Sequence, residues 1–202
     1  RENIQDPKIQ GYLDILEAKA QRLKHLTEDV VEASKISSGN ITMEYMNINF
    51  VEMINQTTGE FAEKFEKRNL QIVLNVPEKP VMVRTDGRRM WRVIENIYNN
   101  AAKYALEGTR VYADLIEKEH TVEFSLKNIS EQPLNISADE LTERFIRGDV
   151  SRSTEGSGLG LSIAKNLTEL QGGKFELYLD GDLFKVTIVF PKAVVGQSVT
   201  KS

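Results

Sequence analysis

The chain has 202 residues, 40% hydrophobic and 28% charged, with a formal net charge of −4 and no cysteine. That suffices for one globular domain plus an extra element, offers no basic nucleic-acid surface, and excludes disulfide and thiolate chemistry. No apolar run approaches the ~20 residues of a membrane-spanning helix, no signal peptide opens the chain, and a start at Arg1 without methionine is expected of a piece of a longer protein.

Asp6-Pro7 is a helix-start signal, a capping carboxylate followed by proline at the first helical position. Ile9, Leu13, Leu16, Ala20, Leu23, Leu26 and Val30 then recur at spacings of three and four, predicting a long helix with a narrow apolar seam. Such a seam calls for a partner helix, in a hairpin or a dimer bundle. Ser37-Ser38-Gly39-Asn40 ends the helix and divides the chain into 1–40, a domain at 41–192 and a tail at 193–202. Ile41 to Asn49 alternates as a strand, and Phe50 to Arg68 is helical, with Val51, Ile54, Phe61 and Phe65 as core positions. Leu70–Leu74 and Val81–Arg84 read as short strands. Asp86-Gly87 opens a strong helix carrying Met90, Trp91, Val93, Ile94, Ile97 and Tyr98. Arg110–Glu117 and Thr121–Lys127 form a hairpin. A polar stretch precedes a helix at Leu161–Leu170, and a last hairpin, Lys174–Leu179 with Leu183–Phe190, turns at Asp180-Gly181-Asp182. This order predicts an α+β fold: a two-layer α/β sandwich, a mixed sheet with helices on one face, preceded by a long α-helix.

Two segments carry chemistry. Gly156-Ser157-Gly158-Leu159-Gly160-Leu161 sets three glycines at alternate positions before a helix, where main-chain N–H groups and the helix N-terminus suit a phosphate. In the helix after Asp86, Asn96, Asn100 and Lys103 are spaced by four and three and share one face. An amide carbonyl suits Mg²⁺, which takes few protein ligands, and a lysine one turn on suits a phosphate. Either segment alone also reads blandly, as a turn or as amides turned to solvent.

Together the segments resemble the ATP-binding domain of sensor histidine kinases, the Bergerat-type fold shared with gyrase, Hsp90 and MutL. Asn96 to Tyr104 resembles the family's N box, Leu141 to Arg147 its F box and Gly156 to Leu161 its second glycine box, over about residues 40–192. The long first helix resembles the second helix of the dimerisation hairpin. The resemblance implies that Asn100 ligates Mg²⁺, with Asn96 beside it. It places Lys103, Tyr104, Gly156, Gly158, Leu159, Gly160 and Leu161 at the nucleotide, and Arg147 at the terminal phosphate from a lid over residues 146–155. Asn96 and Arg147 are the implied catalytic pair. The chain departs from the family at the first glycine box, where Asn128 stands at the base-reading aspartate and offers a neutral carbonyl acceptor. It departs again at the phosphoacceptor. Only His25 and His120 are present, and neither has the acidic residue and proline that follow the family's acceptor histidine, so both read as surface residues.

The expected function is the catalytic half of a histidine kinase. It would pass the γ-phosphoryl of Mg-ATP to a histidine outside this chain and then to a response-regulator aspartate, in a protein that dimerises through its dimerisation helices. Nucleic acid is not expected as a partner, and the place implied by the family is the cytoplasmic part of a membrane-bound sensor. ATP hydrolysis fits less well, since an amide at Asn96 cannot take a proton from water and Glu95 lies about 100° away around the helix. A Ser/Thr kinase or P-loop enzyme lacks its motif here. A nucleotide-binding or dimerisation scaffold is the remaining alternative, motivated by Asn128.

Overall fold

A computed structural model describes residues 7–39, 41–134 and 158–193. The first helix, α1, spans Pro7–Ser37 and stops at Gly39, which turns with φ +68° where a side chain would be strained. Its seam residues Ile9, Leu16, Leu23 and Val30 are exposed, while Leu13 and Leu26 are half-buried. Next come β1 (Tyr45–Asn49), α2 (Phe50–Glu66), β2 (Gln71–Asn75), β3 (Met82–Asp86) and α3 (Gly87–Tyr104). After them follow β4 (Arg110–Glu117), β5 (Thr121–Ile129), α4 (Gly160–Leu170), β6 (Lys174–Asp180) and β7 (Leu183–Pro191).

β1 and β3 pair antiparallel, and each ends in a residue that caps the next helix. The Asn49 side chain accepts from Glu52 N at the start of α2, and Asp86 Oδ1 accepts from Arg89 N at 3.0 Å in α3. Such caps satisfy helix N–H groups that have no intrahelical partner. Strand β1 starts at Tyr45 rather than Ile41, so the alternation read over 41–44 does not become a ladder.

The main sheet has five strands in the order β2-β4-β5-β7-β6. β2 and β4 run parallel while the other neighbours are antiparallel, so the sheet is mixed. A parallel pair needs a crossover, and β3 with α3 supplies it, which lays α3 across the sheet. Alternate residues of the central strands face the helices and are buried: Val111, Ala113 and Leu115, then Val122, Phe124 and Leu126, then Val186, Ile188 and Phe190. The fold is thus α+β with helices on one face, as the sequence predicts. Val51, Ile54, Phe61 and Phe65 enter the core, but Trp91 stays half-buried at its margin.

The core is aromatic at its centre. Tyr98 stacks on Phe124 with ring centroids 6.3 Å apart and meets Phe61 at 5.4 Å, within the range of attractive ring pairs. Burial pushes the Tyr98 phenol up to about 12, and its hydroxyl keeps a partner in Thr58 at 2.8 Å. Helix α3 is therefore pinned by its inner face, which fixes where its polar face points.

Candidate functional site

The site begins on α3. Asn96 is buried at 7% exposure, and its Nδ2 donates to Arg92 O one turn back at 2.9 Å. Its Oδ1 faces the start of α4. A Cβ built on Gly160 would lie 2.9 Å from that oxygen, closer than real Cβ atoms come, so glycine lets α4 start against Asn96 without displacing its amide. One turn on, Asn100 is half-buried on the same face. Lys103 follows, donating to Tyr104 Oη at 2.8 Å with its ammonium 4.6 Å from the tyrosine ring centroid. The structure thus brings Asn96, Asn100, Lys103 and Tyr104 to the last turns of α3, with Asn96 against α4.

α4 opens without a side-chain cap. Gly158 has φ +72°, a conformation that costs any side chain strain, and the Leu159 side chain at the cap position has no oxygen to offer the first N–H groups. That start is suited to an anion. Leu159 packs half-buried against the core and Leu161 is buried at 5%, so both would meet a ligand through the backbone. Arg147, Gly156, the segment 146–155 and the motif at 141–147 lie outside the described residues, as do Asp6, Asn40 and residues 194–202.

Asn128 closes the other side. It lies within β5, which runs two residues past the predicted Lys127, not in the loop after it, and it is 3% exposed. Its Nδ2 donates to Ile129 O at 3.1 Å. Its Oδ1 is the one buried side-chain N or O among the described residues without a hydrogen-bond partner. An orphaned buried acceptor is costly unless a ligand fills it. The end of α3 reaches this strand through Leu106 N donating to Ile129 O and Glu131 N donating to Tyr104 O, both at 2.8 Å. The whole is an amide-and-ammonium face, an open helix start and a neutral acceptor held in the core.

Several participants had no signal in the sequence. Gln171, just past the predicted helix, is buried and accepts through Oε1 from Thr85 and from Asp86 N, tying the end of α4 to the start of α3. Asp86 accepts in turn from Glu44 N at 3.0 Å. Burial would raise the Asp86 carboxyl, but the N–H donors of Glu44, Arg89 and Arg88, with the Arg89 charge, hold it below its ordinary value. On the outer side of α3, Arg89 and Arg92 pair with Asp29 and Glu32 of α1. His25 and His120 are exposed.

A family model described as histidine kinase-, DNA gyrase B-, and HSP90-like ATPase matches residues 85–194. The sensor protein KdpD of Clostridium acetobutylicum is 29% identical over 93% of this chain, which spans 21% of that protein's length. A structure of ShkA in complex with AMPPNP superposes with a TM-score of 0.78 at 18% identity, covering 97% of this chain and 41% of that one. The histidine kinase ThkA in complex with the response regulator TrrA gives 0.69 at 22% identity, covering 94% and 53%. The match runs from Thr85 through α3, Asn128 and α4 to the end of the sheet, and the chain belongs to the histidine kinase-, DNA gyrase B- and HSP90-like ATPase family.

Proposed function

We propose that this chain binds Mg-ATP between α3, the end of β5 and the start of α4. It presents the γ-phosphoryl group to a histidine of the intact protein that lies outside this chain. The observation that carries the reading is the seating of Gly160 on Asn96, which brings an uncapped helix start beside an amide-and-lysine face. The orphaned Asn128 Oδ1 supports it, as an acceptor for the amino group of adenine. Similarity to ShkA with AMPPNP and to ThkA with its response regulator supports the nucleotide and a response regulator as partner.

The donor set fits the cation. The Asn100 amide oxygen would be its protein ligand, leaving phosphate oxygens and water for the remaining positions, as Mg²⁺ prefers. Bound there, the ion supplies charge neutralisation to the phosphates. Lys103 adds a positive charge, Gly158 to Leu161 offer main-chain N–H groups, and Arg147 and Gly156 complete the phosphate contacts by motif alone. The histidine nitrogen attacks the γ-phosphorus, the bond to the ADP oxygen breaks, and a response-regulator aspartate later accepts the group. Positioning supplies most of the acceleration. Hydrolysis remains disfavoured, since Glu95 is paired with Arg92 at 2.6 Å on the α1 side of the helix.

The exposed stripe Ile9, Tyr12, Leu16, Leu23 and Val30 on α1 supports dimerisation through this helix. Among the described residues no helix is long and apolar enough to cross a membrane, and a cytoplasmic site in a membrane-bound sensor is part of the proposal. Calorimetric titration of Mg-ATP into the wild type, Asn100→Ala and Gly158→Ala tests the reading. Wild-type binding with both variants about tenfold weaker or more is expected. No wild-type binding would sink it. Labelled phosphate moving to a supplied acceptor-helix fragment separates a kinase from a scaffold.

A further inference from the structure

A helix leaves its last four carbonyls without intrahelical donors. At the end of α3 all four are met, and by different parts of the chain. Ala101 O takes Ala105 N at 3.0 Å, and Tyr104 O takes Glu131 N at 2.8 Å. The two between belong to Arg68. Its Nη1 donates to Ala102 O at 3.1 Å and to Lys103 O, while its Nη2 reaches Glu131 Oε2 at 2.8 Å. Arg68 arrives there because α2 ends at Glu66 and the chain turns through Asn69 at φ +52°, with Leu70 N bonded to Phe65 O. Earlier in α2, Thr58 meets Tyr98 and Lys64 meets Asn99 at 2.7 Å, so α2 and the turn after it hold the last two turns of α3.

We propose that Arg68 is a positioning residue for the nucleotide, a clamp that sets the separation between the α3 wall of the site and the β5 wall. The inference rests on the nucleotide reading above. The carbonyls that Arg68 holds belong to the turn bearing Lys103 and Tyr104, and its carboxylate partner follows Asn128 by three residues. One planar guanidinium thus joins the two walls, each through its own donor. A cation at this helix end would steady the helix in any case. Positioning goes further, because here the steadied turn carries the ligand-facing side chains. A lysine in its place keeps the charge but cannot span both walls.

Mg-ATP titration and amide exchange of the wild type, Arg68→Ala, Arg68→Lys and Glu131→Gln test this. Arg68→Ala is expected to raise Kd about tenfold, with Arg68→Lys and Glu131→Gln each about threefold weaker than wild type. With an acceptor-helix fragment, KM for ATP rises while kcat at saturating ATP is kept, a split that lost stability alone would not give. Arg68→Ala binding within about twofold of wild type, under conditions where it is folded, overturns the clamp. If that variant does not fold, Glu131→Gln decides, since its exposed side chain can be changed without unfolding the domain; a wild-type Kd overturns the clamp. If the wild type itself binds no ATP, the nucleotide reading fails and exchange at residues 103–106 judges the clamp. Faster exchange in Arg68→Ala and Glu131→Gln supports it, and unchanged exchange overturns it.

Discussion

Arg92 of α3 donates through Nε to Glu32 of α1 at 3.1 Å, across the join between the long helix and the domain that follows. The same guanidinium also meets Asp29 and Glu95, and Arg89 adds a second bond to Glu32 at 2.9 Å. At 100° per residue, Asp29, Glu32 and Ile36 share one face of α1, while Ile9, Leu16, Leu23 and Val30 lie well around from it. The helix thus turns charges to its own domain and an apolar stripe away. A contact held by charges gains little net stability after desolvation and weakens with salt.

Replacing Arg92 with alanine should therefore release α1 before the domain unfolds. Asp29 and Glu95 would lose this partner and Glu32 would keep only Arg89, at a cost of about 1–2 kcal/mol. That is less than for a fully buried pair, because these side chains are 12–30% exposed. Amide exchange over residues 27–36 measures it: faster in Arg92→Ala and in high salt, with the sheet unchanged. Equal protection in both proteins would show that Ile36 packing holds α1 instead.

Gly160→Ala places a methyl group 2.9 Å from Asn96 Oδ1, so α4 must shift or the amide must turn. A loss of about 1–3 kcal/mol in stability is expected, as for overpacking elsewhere. Nucleotide affinity should fall by more than that shift alone explains, since the helix start moves off its mark. Thermal unfolding and calorimetry on one sample separate the two effects.

Asn128→Leu should part stability from binding. The substitution removes a buried acceptor that has no partner in the free protein, so stability is expected to hold or rise by up to about 1 kcal/mol. Affinity for ATP should drop about tenfold or more, because the amino group of adenine loses its acceptor. Weaker folding with unaltered binding would refute both halves.

Asp86 sets an acid limit. Its carboxyl is held below the ordinary 3.8, so the bonds to Glu44 and Arg89 contribute fully above that value and are lost as pH falls through the lowered one. Stability should therefore decline below about pH 4. The substitution Asp86→Asn keeps a cap and flattens this part of the curve, whereas Asp86→Ala costs about 1 kcal/mol at neutral pH. Urea unfolding between pH 3 and pH 7 would show a parallel slope in Asp86→Asn if another group is responsible.

What the sequence determined by itself was whatever is decided within a few residues. Asp86 before Gly87 places the start of α3, Gly39 the end of α1, and the spacing of Asn96, Asn100 and Lys103 their common face, because caps and helical periods depend on near neighbours. Tertiary structure decided what joins distant segments. The parallel pairing of β2 with β4, the reach of Arg68 to carbonyls 34 and 35 residues on, and the bond of Gln171 to Thr85 across 86 residues have no local pattern. So too Asn128 reads as a loop residue until β7 pairs with it and extends β5, which buries the side chain. Such contacts exist only once the core has set the helices and strands side by side, since their energies depend on packing rather than on chain neighbourhood.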